Sequence, residues 1–178
     1  MRKIVAGLFV SLDGVVESPE NWTGPYFNDE LGQEIGSQMA VADSMLLGRV
    51  TYQTFAASFA GQTGGMADTM NNMPKLVVST TLDKADWQNS TLINGNVAEE
   101  LTKLKQQPGN DIAISGSPTL VRYLLHEGLL DELRLLVFPI VVGGGKRLFA
   151  DGGAQIPLKL SDAKTFGTGV LAVRYQRA

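Results

Sequence analysis

The chain has 178 residues, about one domain at roughly 150 residues each, and is long enough to bury a core without covalent staples. It has no cysteine, which excludes disulfides, thiolate nucleophiles and Cys-zinc sites, and its single histidine, His126, excludes a His-rich metal site. The net charge of −3 offers no basic surplus for nucleic acid, and no apolar run reaches the roughly 18 residues of a membrane span.

The opening MRKIVAGLFV has the basic-then-apolar look of a signal peptide, but Asp13 and Glu17 follow closely and no small-residue cleavage site appears. Lys3–Leu12 is therefore read as a buried first strand, and the expected location is cytoplasmic. Next comes a long irregular stretch from Ser11 to Glu30, a length uncommon in loops without a function. Its aromatics Trp22, Tyr26 and Phe27 either line a pocket for a flat ring or cover the edge of the core. The carboxylates Asp13, Asp29, Glu30 and Glu34 are near enough in sequence to serve such a pocket by protonating or orienting a heterocycle. Leu31, Ile35 and Met39 recur at four-residue steps and predict a helix over Asn28–Val41.

Short β-branched and apolar runs then alternate with helical patterns. Strands are expected at Ser44–Gly48, Lys75–Ser79, Thr91–Ile93 and Asp111–Ser115, and helices at Thr51–Ser58, Met66–Asn72, Val97–Gln106 and Pro118–Glu127. Ser117 suits the N-cap of the last of these, Pro118 its first turn and Gly128 its stop, while His126 falls where a helix favours positive charge. A triad would need His126 as its base, a poor fit to that place. Glu132–Val142 reads as one long strand. Gly143-Gly144-Gly145-Lys146 suggests a phosphate loop, but Arg147 stands where Ser or Thr is required, and a loop following a strand is the better reading. Leu158–Ala178 holds two strand-like runs around Gly167–Gly169, the second at Val170–Gln176.

This alternation predicts one α/β domain over residues 1–178 with a mostly parallel sheet and an antiparallel C-terminal section. Three strand-to-helix junctions, at Gly48-Arg49-Val50-Thr51, Ser79-Thr80-Thr81 and Ser115-Gly116-Ser117-Pro118, end in small or hydroxylated residues. Ligands of parallel sheets bind beyond such strand ends, and helix starts attract anions. Three together point to a ligand with several phosphates, such as a dinucleotide, held without the Rossmann G-x-G-x-x-G fingerprint.

Those junctions resemble the dihydrofolate reductase fold, and more closely the C-terminal reductase domain of the bifunctional riboflavin-biosynthesis deaminase–reductase. The matching stretches are SLDG at Ser11–Gly14, ADSMLLGRVTY at Ala42–Tyr52, KLVVS at Lys75–Ser79, ISGS at Ile114–Ser117, and GLLDELRL at Gly128–Leu135 running on through FPIVVGGG at Phe138–Gly145. The resemblance implies a three-layer α/β fold with a mostly parallel central sheet and antiparallel C-terminal strands, NADPH as cofactor and often a homodimer. Carried over, Gly48, Arg49 and Thr51 would meet the diphosphate and adenosine phosphate, Ser79 and Thr80 the 2′-phosphate, and Gly116, Ser117, Thr119 and Leu120 the diphosphate and nicotinamide side. It also implies an acid early in the first long helix. Counting back from Arg49 lands near Gly32, with Glu30 and Glu34 on either side; together with Asp13 from the preceding loop, these are the catalytic candidates. The zinc deaminase domain usually fused to that reductase is missing here, so riboflavin synthesis is not implied.

The expected function is NADPH-dependent hydride transfer to a small heterocyclic acceptor, pterin- or pyrimidine-like, or a related one. A non-catalytic nucleotide-binding module and a purely structural domain are the alternatives. The expected partners are a small-molecule substrate and a second copy of the chain, because Glu132–Val142 read as an apolar strand near a sheet edge needs cover, with neither nucleic acid nor membrane.

Overall fold

Strands that are apolar on both faces must be covered by helices on both sides. The computed structural model describes residues 1–178 and satisfies this requirement with a three-layer arrangement around one eight-stranded sheet. In chain order the elements are β1 Ile4–Ser11, α1 Asp29–Ala40, β2 Ala42–Gly48, α2 Arg49–Phe59, α3 Gly65–Asn72, β3 Lys75–Val78, β4 Ser90–Ile93, α4 Val97–Gln106, β5 Asp111–Ser115, α5 Pro118–His126, β6 Glu132–Phe138, β7 Leu158–Thr165 and β8 Leu171–Arg177. The strand order is β4-β3-β2-β5-β1-β6-β8-β7. All pairings from β4 to β6 are parallel, and β8 pairs antiparallel with both β6 and β7.

Period-two alternation divides the core. Ile4, Ala6, Leu8, Ile112, Ile114 and Leu133 face one side, where Leu101 of α4 and Val121 and Leu124 of α5 cover them. On the other side Met45, Leu47 and Val77 pack with Tyr52, Met70 and Trp87, while Leu136, Phe138 and Ala172 pack with Leu31 of α1 and with Trp22. Helix starts follow local chemistry. Asn28 caps α1 by accepting from the Leu31 N–H at 2.9 Å, and Gly128 (φ +69°) ends α5 in the left-handed conformation that glycine tolerates.

Lys75 is fully buried, which an ammonium tolerates only with partners. It donates to the carbonyls of Met70, Asn71 and Met73 at 2.7, 3.2 and 2.7 Å, and stands 4.1 Å from the centre of the Trp87 ring. It thereby closes the C-terminal end of α3. Burial pulls its pKa down to about 8.

Three expectations change. The strand expected over Glu132–Val142 ends at Phe138, because Pro139 has no N–H for the ladder and Ile140 turns back to the Phe138 carbonyl. That strand is also not an edge. β6 lies between β1 and β8, so the reason given for a covering second copy is gone. Helix α2 begins at Arg49 rather than Thr51, which places both residues in its first turn.

Candidate cofactor and substrate cleft

The C-terminal ends of β1, β2 and β5 are neighbours in the sheet, and above them opens a cavity of about 920 Å³. One wall is the β2–α2 junction with Gly48, Arg49 and Thr51. The facing wall is the β5–α5 junction with Gly116, Ser117, Thr119 and Leu120. Gly7 and Phe9 of β1 also line it, as do the segment from Val16 to Glu20 and Lys146.

The two walls are locked together. The Gly48 N–H donates to Ser117 Oγ at 2.9 Å, and that hydroxyl donates to Thr51 Oγ1 at 2.8 Å. Space forces the glycines. A Cβ at Gly48 would stand 2.7 Å from Ser117 Oγ, and one at Gly116 3.3 Å from Thr51, where φ is already +96°. Ser117 is left-handed too, at φ +58°. Its hydroxyl, expected to cap α5, is used on Gly48 instead. Neither α2 nor α5 has a side-chain cap, so the first N–H groups of both helices are left for a ligand. Arg49 is exposed at the cavity wall, and its guanidinium meets only Gln53 Oε1, at 3.1 Å. Two uncapped helix starts, close glycine backbone and a guanidinium suit the chemistry of a dinucleotide diphosphate.

Other expected site residues lie elsewhere. Ser79 is buried, and its Oγ accepts from the N–H groups of Thr81 and Leu82 at 3.2 and 3.1 Å, closing a turn; it and the exposed Thr80 are outside the cavity lining. Trp22 is buried edge-on against Phe138, with centroids 5.6 Å apart, and its Nε1 donates to the Glu17 carbonyl at 3.1 Å. Tyr26 meets the same Phe138 edge-on at 5.7 Å. Phe27 is half exposed and meets Phe9 at 6.0 Å. These three cover the core edge beside the cleft rather than line the cavity.

The carboxylates have distinct settings. Asp13 accepts from Ser11 Oγ at 2.6 Å and from the N–H groups of Val142 and Gly143 at 3.0 and 2.8 Å. These bonds, the serine's first, lower its pKa to about 2, so it is charged at neutral pH and ties two loops together. Asp29 is exposed in the first turn of α1. Glu30 accepts from the Gly167 N–H at 3.1 Å, holding the β7–β8 turn against α1. Glu34 is buried, which raises its pKa, yet hydrogen bonds from Gln38 and Arg174, both 2.9 Å, and the charges of Arg174 and Lys164 outweigh burial and hold it below its usual value.

The profile of the RibD C-terminal domain family matches residues 2–172. The chain belongs to that family. The uncharacterized protein YyaP of Bacillus subtilis (strain 168) is 32% identical over 186 residues, covering 98% of this chain and 94% of YyaP. A putative riboflavin biosynthesis protein from Shewanella sp. PV-4 superposes with a TM-score of 0.81 at 18% identity, with 99% of each chain covered. Dihydrofolate reductase from Enterococcus faecalis, complexed with NADP(H), superposes with a TM-score of 0.66 at 13% identity, covering 98% of this chain and 96% of that one. The fold is thus of the dihydrofolate reductase type.

The cleft also contains residues that sequence reasoning passed over. Lys146, set aside with its glycine loop, lines the cavity because that loop is stitched to the first one. Val16 N–H donates to the Lys146 carbonyl at 2.9 Å, and Lys146 N–H donates to Glu17 Oε2 at 3.1 Å. The sequence signal was present as a lone lysine after three glycines, but only the Val15–Arg147 bridge brings it to the site.

Proposed function

We propose that the protein is an NADPH-dependent reductase of a small heterocyclic substrate. The observation that carries this reading is the interlocked pair of uncapped helix starts at Gly48–Thr51 and Gly116–Ser117, with Arg49 beside them. Membership of the RibD C-terminal domain family and the dihydrofolate reductase-type fold support it. When bound, NADPH supplies the hydride, which belongs to the cofactor's chemistry. The chain's own part is to hold phosphate on the N–H groups of α2 and α5 and on Arg49. Gly48 and Gly116 admit close approach, and Phe9 and Leu120 offer apolar surface in the same cavity. Of the carboxylates near the site, Glu34 faces the sheet beneath α1, whereas Asp13 and Glu30 are engaged in loop contacts.

Thermal unfolding with NADPH and with NADH tests the binding half. NADPH is expected to raise the midpoint, and to raise it more than NADH does. Arg49→Ala removes a charge-assisted contact and is expected to weaken NADPH at least about tenfold. Loss of NADPH absorbance with pterins and pyrimidines as acceptors tests turnover, and a midpoint unchanged by either cofactor defeats the proposal. A homodimer and a cytoplasmic location belong to this reading on family likeness alone, and a monomer mass in light scattering at micromolar concentration removes the dimer. No helix is long and apolar enough to cross a membrane.

A further inference from the structure

A backbone nitrogen that reaches the side-chain carbonyl carbon of the residue before it closes a succinimide ring, and a glycine leaves that nitrogen unshielded. The chain has such pairs at Asp13-Gly14, Asn94-Gly95 and Asp151-Gly152. An ionised carboxylate is a poor electrophile, because its charge is shared by both oxygens, and a neutral carboxamide is a better one. The first pair is also shut, since the Gly14 N–H donates to the Ser11 carbonyl at 3.0 Å. Among the asparagines only Asn94 precedes a glycine. Several of the others are engaged. Asn28 and Asn96 cap α1 and α4, and Asn71 is buried with both ends of its carboxamide bonded. Asn94 differs. With Gly95 and Asn96 it is exposed in the turn between β4 and α4, and neither its carboxamide nor the Gly95 N–H makes a hydrogen bond within the chain. A Cβ at Gly95 would meet nothing within 4 Å, so the turn is open on that side.

The turn also lies beside the cleft. Gly48, Val78 and Ile93 are register partners on β2, β3 and β4. Two strand spacings therefore separate Gly48 from Ile93, and Asn94, one residue on, stands about 10 Å from the Gly48–Arg49 junction. Val97, three residues later, lines the large cavity.

We propose that Asn94 is a deamidation site whose product charges the rim of the cleft. The Gly95 nitrogen attacks the Asn94 Cγ, the side-chain nitrogen leaves as ammonia, and the proton of the Gly95 amide leaves with it. Water then opens the succinimide at either carbonyl, giving aspartate or isoaspartate at position 94. The new carboxylate stands two residues before the Asn96 cap, where the dipole of α4 favours negative charge. At about 10 Å, close to the Debye length in 0.1 M salt, it repels phosphate held on the Gly48–Arg49 junction. That second consequence rests on the reductase reading above.

The test incubates the full chain at mildly alkaline pH and follows it by ion exchange and peptide mapping, beside the free peptide Leu92–Ala98. An acidic form is expected to accumulate with aspartate and isoaspartate both at position 94, at a rate within about tenfold of the peptide's, as an open turn allows. Gly95→Ala, for which the turn has room, is expected to slow this at least about tenfold by shielding the attacking nitrogen. An intact Asn94 while the peptide reacts, an acidic form that maps first to another residue, or Gly95→Ala ageing as fast as wild type overturns the site. Asn94→Asp copies the product. It is expected to bind NADPH about two- to fourfold more weakly than wild type at low salt and equally at high salt. Equal binding at low salt overturns the effect on the cleft. Absence of any NADPH effect on wild-type unfolding instead overturns the reductase reading and that effect with it, and the peptide maps still decide the site.

Discussion

The positions that resist substitution here are the glycines that face a hydroxyl side chain of the opposite junction. Gly116 combines a φ of +96° with Thr51 3.3 Å from any added Cβ, so Gly116→Ala carries both a conformational and a steric cost. Such strain is worth about 1–3 kcal/mol, to be read as a lower urea midpoint, and the variant is also expected to lose its NADPH-induced rise. Gly48 differs in kind. Its φ is −78°, within reach of any residue, and only the Ser117 hydroxyl 2.7 Å from its would-be Cβ requires glycine. Sequence alone identified both glycines as junction residues. It did not show that Ser117 spends its hydroxyl on Gly48 rather than on capping α5, because the two junctions are 69 residues apart and only the β2–β5 pairing brings them together. For the same reason the carboxylate ambiguity was insoluble from spacing. Besides the local Ser11 and Gln38, what separates Asp13, Glu30 and Glu34 is their distant partners on β8 and in the loops after β6 and β7.

At the scale of elements, Asp13 acts as the clasp between the loop after β1 and the loop after β6. Its folded pKa of about 2 lies below the ordinary 3.8, so the clasp contributes in full above about pH 4 and is lost as pH falls through 2. Wild-type stability is therefore expected to fall more steeply between those values than that of Asp13→Asn, in denaturant titrations at stepped pH. The end of α3 depends on Lys75 in a similar way. Lys75→Met leaves the carbonyls of Met70 and Met73 without their donor and is expected to cost about 2–3 kcal/mol in the same measurement. Helices and parallel strands were legible because each carries its own period and punctuation. The segment after Phe138 was not. Ile140, Val141 and Val142 have strand composition, and Pro139 was the one sign that the ladder stops. The aromatics of the first loop were likewise ambiguous, since a Trp that lines a pocket and one that packs on Phe138 look alike until Phe138 is placed.

For the whole molecule, the sheet order puts β5 between β1 and β2, and this insertion gathers three strand ends at one cleft. A ligand spanning that cleft stabilises both halves at once. NADPH at 100 times its dissociation constant is expected to add about 2.7 kcal/mol, or about 5–10 °C in midpoint for a chain of this size. The sheet also ends in two different edges. β7 is exposed along nearly its whole length, and it carries Lys159, Asp162, Lys164 and a register shift between Leu160 and Asp162, features that discourage pairing with another strand. The parallel-then-antiparallel order was legible from the spacing of turn signals, whereas β6 being interior was not, because nothing local says that β8 returns to pair with it. The buried Lys75 has a consequence of another kind. Amine-directed reagents modify exposed lysines such as Lys84 and Lys164 at once, but they reach Lys75 only while α3 is lifted from the sheet. The chain thus holds an internal chemical clock, and the rate at which mass spectrometry finds Lys75 acylated, slowed or unchanged by NADPH, times the opening of this flank of the fold.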